Sequence, residues 1–468
     1  MLRKKQPLRS FQKEIIGLNK KVPLVSGKYA RYINLDNAAS TPALKSVVGE
    51  VMDFLEWYSS VHRGTGYKSV LSTKVYDEAH ETVAQFVGAD MSNNTVIFVK
   101  NTTEAINKLA NRLDFNKRDI VITTQMEHHS NDLPWRKKAK TLYIGVDNRG
   151  SLLLDDLEDK LKNCGNRVRI VAVSGASNVT GHVNNIYKIA EMAHHHGAEL
   201  LVDAAQLVPH RPVDILPNDD PRHIDYIAFS AHKMYAPFGT GVLIGPTATF
   251  ARGAPDYAGG GTIETVSLED IQWAPPPERD EAGTPNLIGA LALVAAIKVL
   301  QKIGMERIYK HEKRLTSYAL GRLKEVNNII IYGDEDLSRQ DRVGVITFNL
   351  KGINHALVAA VLSYEGGIAV RNGCFCAHPY VHHLLKLNKK QIYESQKKIL
   401  MKKKQNLPGM VRISFGLYNT FRDIDTLISL LKYIEQKIEH YKNSYCLNLE
   451  EGSYYPVTIT KSPWQNIL

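Results

Sequence analysis

Two ionisable residues stand where strand-like apolar runs end. Lys233 closes the motif Ser230-Ala231-His232-Lys233, which follows the run 224–229, and Asp203 closes the run that starts at residue 199. Pyridoxal phosphate chemistry needs this pair, because the amine forms a Schiff base with the cofactor aldehyde and the carboxylate keeps the pyridine nitrogen protonated. Each residue also has a plainer interpretation, since Asp203 could cap a helix and Lys233 could be a solvated loop charge. The pair therefore predicts a pyridoxal phosphate site that other motifs must support.

Donors for a cofactor phosphate occur at another predicted strand end. Thr102 and Thr103 begin a predicted helix directly after a strand, and the free N–H groups of a helix N-terminus bind phosphate. An ordinary threonine cap with an acidic first turn would explain the same residues. Ser230 and His232, beside Lys233, are further predicted phosphate donors.

Two more polar residues follow predicted strands. His128 is placed to stack on the pyridine ring and to move protons. Asn178 is placed to hydrogen-bond a ring substituent or the substrate, although asparagine is also common in turns. We predict no metal site, because adjacent histidines such as His128 and His129 rarely converge on one ion. The histidines 194–196 end a predicted helix, where imidazolium charge is favourable.

The elements that must position these residues alternate between short apolar strands and amphipathic helices. Strands are predicted at 95–99, 120–123, 169–173, 200–203, 226–229 and 241–244. Helices are predicted between them, for example at 103–113 and 186–196. This alternation predicts an α/β fold with a mostly parallel sheet covered by helices on both faces. Ligands of such sheets lie beyond the carboxyl ends of the strands, where the polar residues above stand.

The pattern of predicted strands and helices divides the chain into two predicted domains and a tail. Residues 31–286 carry the alternating pattern and are predicted to form a large cofactor-binding domain. Residues 1–30 and 287–445 are predicted to form a smaller α+β domain, and within it the Lys-rich segment 386–406 is most simply an exposed helical insertion. Residues 446–468 form a tail with weak periodicity.

Composition limits the class of protein. The 468 residues are 44% hydrophobic and 23% charged, as in soluble globular proteins. The longest apolar run, 287–297, is too short to span a bilayer, and the basic N-terminus leads into no apolar signal segment, so we expect a cytoplasmic protein without membrane partners. The net charge of +11 comes with no nucleic-acid-binding motif and with no aromatics among the lysines, so solvated surface is favoured over nucleic-acid binding. Four cysteines are too few for a disulfide framework and leave room for a reactive thiol.

Four motifs occur in a fixed order along the chain: Asp203-Ala204-Ala205-Gln206, Ser230-Ala231-His232-Lys233, Ala282-Gly283-Thr284-Pro285-Asn286 and Arg371-Asn372-Gly373-Cys374-Phe375-Cys376-Ala377. With them the chain resembles the class V aminotransferase superfamily, and most of all its group II (Suf-type) cysteine desulfurases and selenocysteine lyases. The resemblance runs from Asn34 to Phe415. It implies the fold type I of pyridoxal phosphate-dependent transferases and a homodimer with shared sites.

The resemblance also implies roles for single residues. The catalytic residues would be Lys233, Cys376 and His128. The cofactor would be bound by Thr102, Thr103, His128, Asn178, Asp203, Gln206, Ser230, His232, Lys233 and, from the partner subunit, Thr284. Gln206 would donate to the ring hydroxyl. The amino-acid substrate would be bound by Arg412, Arg371, Asn178 and His62, and a planar guanidinium such as that of Arg412 suits a carboxylate.

Cys376 decides which reaction is expected. In the family a cysteine at this position attacks the sulfur of bound cysteine, which gives alanine and an enzyme persulfide. A buried, inert cysteine is one alternative. A metal site of Cys374, Cys376 and His378 is another, although its spacing lacks a second ligand pair. The loop also departs from group II, because Cys374 and Phe375 replace histidines. Its Gly-Cys-Phe-Cys sequence is closer to molybdenum cofactor sulfurases. A second loop, 62–67, departs as well, because Gly66 replaces a second histidine.

The sequence as a whole predicts a pyridoxal phosphate-dependent cysteine desulfurase that passes sulfur from Cys376 to an acceptor, which could be a protein. Another class V enzyme remains open as an alternative: an aminotransferase, an epimerase, a selenocysteine lyase or a molybdenum cofactor sulfurase. A sulfur-delivery scaffold that binds an acidic surface through the lysines of 386–404 is a third hypothesis.

Overall fold

The computed structural model describes residues 11–62 and 64–458. The predicted small domain and tail extend into residues 1–10 and 459–468, which lie outside the described residues, as does Arg63 of the loop 62–67. The strands, numbered along the chain, are β1 (Lys21–Pro23), β2 (Tyr29–Arg31), β3 (Ile33–Asn34), β4 (Asn94–Val99), β5 (Ile120–Thr124), β6 (Lys140–Ile144), β7 (Val168–Ser174), β8 (Glu199–Asp203), β9 (Tyr226–Ser230), β10 (Gly241–Pro246), β11 (Ile263–Val266), β12 (Ile271–Trp273), β13 (Ile329–Tyr332), β14 (Val345–Leu350), β15 (Ile368–Ala369), β16 (Arg371–Gly373), β17 (Met410–Ser414), β18 (Tyr445–Asn448) and β19 (Ser453–Pro456).

The α-helices are numbered in the same way. They are α1 (Lys45–Leu55), α2 (Tyr67–Phe86), α3 (Thr102–Arg112), α4 (Leu133–Arg136), α5 (Leu154–Cys164), α6 (Ile186–His195), α7 (Thr247–Phe250), α8 (Leu287–Ile303), α9 (Met305–Leu323), α10 (His355–Gly366), α11 (His378–Leu384), α12 (Lys389–Leu400), α13 (Phe421–Gln436) and α14 (Ile438–Ser444).

A seven-stranded sheet forms the centre of the larger part of the chain. Its strand order is β4-β10-β9-β8-β7-β5-β6, and β10 alone runs in the direction opposite to the other strands. Strands such as β4, β5 and β9 are buried along their whole length, which explains why they read as unbroken apolar or β-branched runs. The predicted α/β fold with a mostly parallel sheet is confirmed.

The carboxyl ends of the parallel strands meet at one edge of this sheet. β4 leads there into α3, β5 into the segment of His128, β7 into that of Asn178, and β8 and β9 end beside Asp203 and Lys233. Residues that are far apart in the sequence are thereby collected at one edge, as the alternating pattern predicts.

A separate, smaller sheet has four antiparallel strands in the order β13-β14-β17-β16. Its core packs Phe348 and Ile413 against residues of α10 and α13, such as Leu362 and Leu427. β16 and β17 place Arg371 directly opposite Arg412. An isolated bridge between Asp36 and Ser414 joins the segment after β3 to the end of β17. The smaller sheet therefore places two arginines beside the edge of the larger sheet. The predicted domain boundaries stay a prediction.

The Lys-rich segment contains one helix, α12. It begins with a capping box, in which the side chains of Asn388 and Gln391 each accept from the other residue's backbone N–H, and it has no buried residue. The N–H of Lys404, just after the helix, donates to Leu449 O of the β18–β19 hairpin at 2.8 Å. The insertion and the hairpin of the tail are therefore in contact.

In the part of the chain that the structure describes, no single helix has the length and hydropathy of a membrane span; α8 and α9 meet that test only together, with a bend of 76° between them.

Candidate functional site

A cavity of about 360 Å³ lies at the carboxyl edge of the central sheet. The predicted site residues that line it are Thr102, Thr103, His128, Asn178, Asp203, Gln206, Ser230, His232, Lys233, Arg371, Cys376 and Arg412. The structure thus brings together every predicted site residue except Thr284 and His62, and the same cavity receives residues from both sheets.

Lys233 lies at the floor of this cavity. β9 ends at Ser230, and a single 3₁₀ turn, 231–233, carries the lysine out of the sheet. Burial lowers the pKa of Lys233 to about 8, and the nearby carboxylate of Asp203 limits this fall. A substantial fraction of the amine is therefore neutral, and nucleophilic, close to pH 8.

Asp203 ends β8 beside Lys233 and is buried. Its Oδ1 accepts a hydrogen bond from the N–H of Ala205 at 3.0 Å. Burial raises the pKa of Asp203, while the Ala205 N–H and the charge of Lys233 act in the opposite direction. A cationic ligand group beside this carboxylate would favour its ionised form.

A cluster of hydroxyl and amide groups forms one end of the cavity. Asn101 caps α3, its side chain accepting from the N–H of Glu104 at 3.0 Å. The N–H of Thr102 donates to Ser230 Oγ at 2.8 Å, and the two hydroxyl oxygens lie 2.6 Å apart. Thr103 Oγ1 lies 2.7 Å from Ser130 Oγ. The helix N-terminus and its hydroxyls are thus arranged as an anion site.

Gly241, the first residue of β10, lets this anion site sit against the sheet. A Cβ atom at residue 241 would lie 2.6 Å from Asn101 Cα. Only glycine fits there without moving the backbone that begins α3.

His128 is held in one tautomer. The N–H of Ser130 donates to His128 Nδ1 at 3.1 Å, so the neutral ring carries its proton on Nε2. Burial, with a smaller contribution from the charge of Lys233, lowers the pKa of His128 to about 4. Burial also lowers the pKa of His232 to about 4. Both imidazoles are therefore neutral at physiological pH.

Arg412 forms the other end of the cavity. Its Nη1 donates to Asn178 O at 3.0 Å and its Nη2 to Asp36 Oδ1 at 2.9 Å. Arg371 Nη2 lies 3.0 Å from the other oxygen of Asp36, so one carboxylate bridges two guanidinium groups. Burial lowers the pKa of Arg412, and Asp36 opposes this effect. The bridge orients Arg412 and leaves part of its guanidinium free.

Cys376 lies on the short loop between β16 and α11. Phe375 and Cys376 adopt left-handed backbone conformations, with φ of 51° and 54°. The loop is fixed because Cys376 O accepts from the N–H of His129 and Phe375 O accepts from the side chain of Asn178, both at 2.7 Å. Cys376 is exposed, whereas burial raises the pKa of Cys374 to about 11. Cys376 is thus an accessible thiol at the wall of the cavity, and Cys374 is a protonated one.

Two buried polar atoms of the cavity residues have no hydrogen-bond partner among the described residues: Gln206 Oε1 and Arg412 Nε. Such groups are costly unless a ligand satisfies them. The donor set therefore fits a phosphorylated aromatic cofactor and a carboxylate ligand. The amide nitrogen of Gln206 donates one of its two hydrogens to Ala38 O at 2.6 Å, so Gln206 can offer a ring hydroxyl its second N–H or the free Oε1, and the predicted donor role stays a prediction.

Two predicted residues lie elsewhere in the chain. Thr284 lines a separate cavity with Lys100 and Tyr257, and His62 packs its ring 6.0 Å from that of Tyr76. For both residues a role at the site requires a second subunit.

The histidines at the end of α6 lie at the opposite edge of the sheet. His194 and His223 each lie within 3.1 Å of a different oxygen of Asp225, which precedes β9. Their three ligand atoms are close enough to hold an ion, but the cluster belongs to the amino end of the strands and not to the cavity.

Sequence reasoning assigned no role to three residues that support the site. Asp36 bridges the two arginines, and Ser130 fixes both His128 and Thr103. Glu127 is buried under the cavity, accepts from Ser174 and Asn131, and has its pKa raised by burial to about 7. Their only signal was proximity to motifs: Asp36 lies in Asn34-Leu35-Asp36-Asn37, and the other two flank His128.

The comparisons with known proteins all point to the same family. The model of the aminotransferase class V family matches residues 33–427. A protein of Halalkalibacterium halodurans named probable cysteine desulfurase is 36% identical over 417 residues, which cover 87% of this chain and 94% of that protein. A protein of Haloferax volcanii named cysteine desulfurase is 34% identical over 408 residues, covering 85% and 88%. The apo structure of a cysteine desulfurase from Thermococcus onnurineus has a TM-score of 0.79 and 32% identity, and covers 93% of this chain and 100% of that one.

Proposed function

This chain belongs to the aminotransferase class V family, and we propose that it is a pyridoxal 5'-phosphate-dependent cysteine desulfurase, which converts L-cysteine to L-alanine and leaves a persulfide on Cys376. One observation carries the proposal: an exposed thiol, Cys376, shares a cavity with an amine of lowered pKa, Lys233, and a buried arginine, Arg412. The relatives named cysteine desulfurase support it.

The donor set of the cavity suits this cofactor. Lys233 would bind its aldehyde, Asp203 its pyridine nitrogen, and the α3 N-terminus with Ser230 its phosphate, while Gln206 Oε1 would accept from its ring hydroxyl. When bound, pyridoxal phosphate supplies an electron-withdrawing ring that labilises bonds at the substrate Cα and Cβ. The protein contributes the carboxyl group of Asp203, which a protonated pyridine nitrogen beside it would keep ionised, and the position of the ring.

Arg412 would hold the carboxylate of cysteine. Its Nε has no partner among the described residues, so this N–H and the remaining hydrogens of the guanidinium are free to bind a carboxylate in the charge-assisted, bidentate way that arginine favours. Asp36 fixes the guanidinium through Nη2. Cysteine would thereby be oriented with its side chain toward the remaining wall of the cavity.

Proton movement is assigned to Lys233 and His128. A pKa of about 8 allows Lys233 to exchange between ammonium and amine near neutral pH, which suits a group that both accepts and returns a proton. His128 is neutral and presents its N–H at Nε2, so it can donate a hydrogen bond without adding positive charge.

Cys376 would receive the sulfur. In the net reaction the Cβ–S bond of cysteine breaks, an S–S bond forms at Cys376 Sγ, and a proton completes the methyl group of alanine. The carbon is reduced and the sulfur pair is oxidised by the same two electrons, so no external oxidant is required. The reducing conditions of the expected cytoplasmic location would keep Cys376 a thiol before each turnover.

Turnover measurements test this function. The protein loaded with pyridoxal phosphate, supplied with L-cysteine and dithiothreitol, is expected to release equal amounts of alanine and sulfide. Cys376→Ala should remove this activity, while Cys164→Ala, which alters a half-buried cysteine at the end of α5, should keep it. Consumption of other amino acids with no dependence on Cys376 would instead indicate another class V reaction.

We further propose a homodimer. Thr284 lies outside the cavity of its own chain, and its predicted contact with the cofactor phosphate is met if Thr284 of the partner subunit completes the site.

A further inference from the structure

A second cavity, of about 510 Å³, adjoins the loop that carries Cys376. Phe375 is the one described residue that lines both cavities, so the loop is a thin wall between them. The remaining wall comes from α12, through Ile392 and Ile399, and from the β18–β19 hairpin, through Leu447 and Tyr454. The insertion and the tail, for which the proposed chemistry has no use, thus build one concave surface beside the reactive thiol.

The insertion carries positive charge that no ion pair balances within the described chain. Residues 386–406 contain eight lysines and one glutamate. In the described part of the chain none of these lysines forms an ion pair, although ion pairs are frequent elsewhere on the surface. Lys397 and Lys403 are examples whose side chains are exposed. Such a concentration of like charge attracts an anionic partner and accelerates its association.

Apolar side chains are exposed on the same segment. Tyr393 is 68% exposed, Leu400 85% and Met401 55%. An apolar patch with a charged rim is typical of protein interfaces. Nucleic-acid surfaces instead combine arginines with several stacking aromatics, and the insertion has no arginine and Tyr393 as its one aromatic residue. These features favour a protein partner.

We propose that α12 and the β18–β19 hairpin dock an acidic protein that carries a thiol, and that this protein accepts sulfur from Cys376. The inference rests on the proposed desulfurase activity and names the partner of that site. Cys376 is two residues from Cys374, which lines the second cavity, and two residues span at most about 7 Å. A protein seated over the second cavity therefore lies beside the loop of the exposed Cys376, and the proposal places its thiol at Cys376.

The transfer requires no further reagent. The thiolate of the acceptor attacks the outer sulfur of the Cys376 persulfide, so that one S–S bond forms while the bond to Cys376 Sγ breaks. Cys376 leaves as a thiolate and takes up the proton that the acceptor thiol released. The acceptor then holds the persulfide and Cys376 is ready for the next cysteine.

Synthetic peptides provide the test. Three peptides carry one cysteine flanked by glutamates, by glutamines or by lysines, and each replaces dithiothreitol as acceptor for the loaded enzyme at low ionic strength. We expect the glutamate peptide to have a KM about three- to tenfold below that of the glutamine peptide, since several exposed charge pairs each contribute a little. Salt should remove the difference, because charges are screened beyond about 3 Å at 1 M.

Matched variants locate the effect. Lys397→Gln/Lys398→Gln/Lys403→Gln should remove the preference for the glutamate peptide and leave turnover with dithiothreitol unchanged. Lys117→Gln/Lys138→Gln/Lys140→Gln removes the same charge at the amino ends of β5 and β6, at the opposite edge of the sheet, and should retain the preference. Fluorescence anisotropy of labelled peptides with serine in place of cysteine measures the same preference without turnover.

Each other outcome overturns the inference. Equal KM values for the three peptides, with normal turnover on dithiothreitol, would reject the acidic partner and would be consistent with the desulfurase activity. Preference that survives in the α12 variant moves docking to another surface. Competition by an RNA oligonucleotide at lower concentration than the glutamate peptide assigns the surface to nucleic acid. Absence of turnover with dithiothreitol, even where the serine peptides bind, rejects the proposed function itself.

Discussion

At the scale of single residues, burial sets the protonation states on which the chemistry depends. Lys233, His128 and Arg412 all have pKa values that burial lowers, yet the consequences differ. The lysine moves into the range in which amine and ammonium coexist, the histidine becomes neutral, and the arginine stays charged because its ordinary pKa is so high. One low-dielectric cavity thereby provides a nucleophilic amine, a neutral proton donor and a permanent cation.

Loading of the cofactor-free protein with pyridoxal phosphate should depend on pH through Lys233. Its amine is neutral above a pKa of about 8, so the loading rate should rise as the pH approaches 8 and change little above about pH 9. The rate is followed by visible absorbance in stopped-flow mixing. A rate that climbs steadily to pH 10.5, as for an ordinary lysine, would show that burial does not lower the pKa of Lys233.

Arg412→Lys tests the role of the guanidinium. The variant keeps the charge but loses the planar fork, so the KM for L-cysteine should rise by about 10- to 100-fold, the equivalent of about 1.5–3 kcal/mol for hydrogen bonds to charged groups. The kcat for alanine formation should change much less. An unaltered KM would remove Arg412 from the substrate carboxylate.

At the scale of elements, the site depends on how strand ends meet. α3, β8 and β9 bring the phosphate donors, Asp203 and Lys233 to one edge of the central sheet, and β17 of the smaller sheet adds Arg412. The close approach of β10 to the start of α3 sets the position of the anion site, because Gly241 lies directly against Asn101.

Gly241→Ala should therefore weaken cofactor binding. The added Cβ would lie 2.6 Å from Asn101 Cα and would displace the start of α3. Overpacking of this kind costs about 1–3 kcal/mol, so we expect roughly tenfold lower affinity for pyridoxal phosphate by equilibrium titration. Gly259→Ala, where an added Cβ meets open space, is the control. Equal affinity in the two variants would show that this contact does not position the phosphate donors.

The same elements explain how far the sequence could predict the site. β5, β8 and β9 read as apolar runs because they are buried on both faces, and their ends were therefore placed within two residues. β6 was missed because it is an edge strand with half-buried, mixed residues. The bridge from Asp36 to Arg412 spans 376 residues and depends on the pairing of the segment after β3 with the end of β17, which no local pattern encodes.

At the scale of the whole molecule, the loop of Cys376 separates two cavities, and a second chain is expected to complete one of them. The first cavity is built by the large sheet with Arg371 and Arg412 of the small one, while the second is roofed by α12 and the C-terminal hairpin. The sequence could not assign Thr284 to the cavity of its own chain, because it lines a separate one; its proposed contact with the cofactor phosphate therefore needs a second subunit.

Hybrid dimers test that contact. When Lys233→Ala and Thr284→Ala proteins are mixed and allowed to exchange subunits, a hybrid has one site with both changes and one site with neither, provided that Thr284 acts across the interface. Desulfuration should then recover to about a quarter of the wild-type value, since about half of the dimers are hybrids with one intact site. No recovery, despite exchange shown with differently tagged subunits, would place Thr284 and Lys233 in the same site of one chain.

Identifying the residue that carries the sulfur tests the proposed desulfurase mechanism most directly. The loaded protein is mixed with L-cysteine without any reductant, the remaining thiols are alkylated, and the peptides are weighed by mass spectrometry while alanine is quantified. We expect one additional sulfur atom on the thiol of the peptide that contains Cys376, with one alanine formed per modified subunit. Alanine formation with the additional sulfur on Cys374, or on no cysteine, would contradict it.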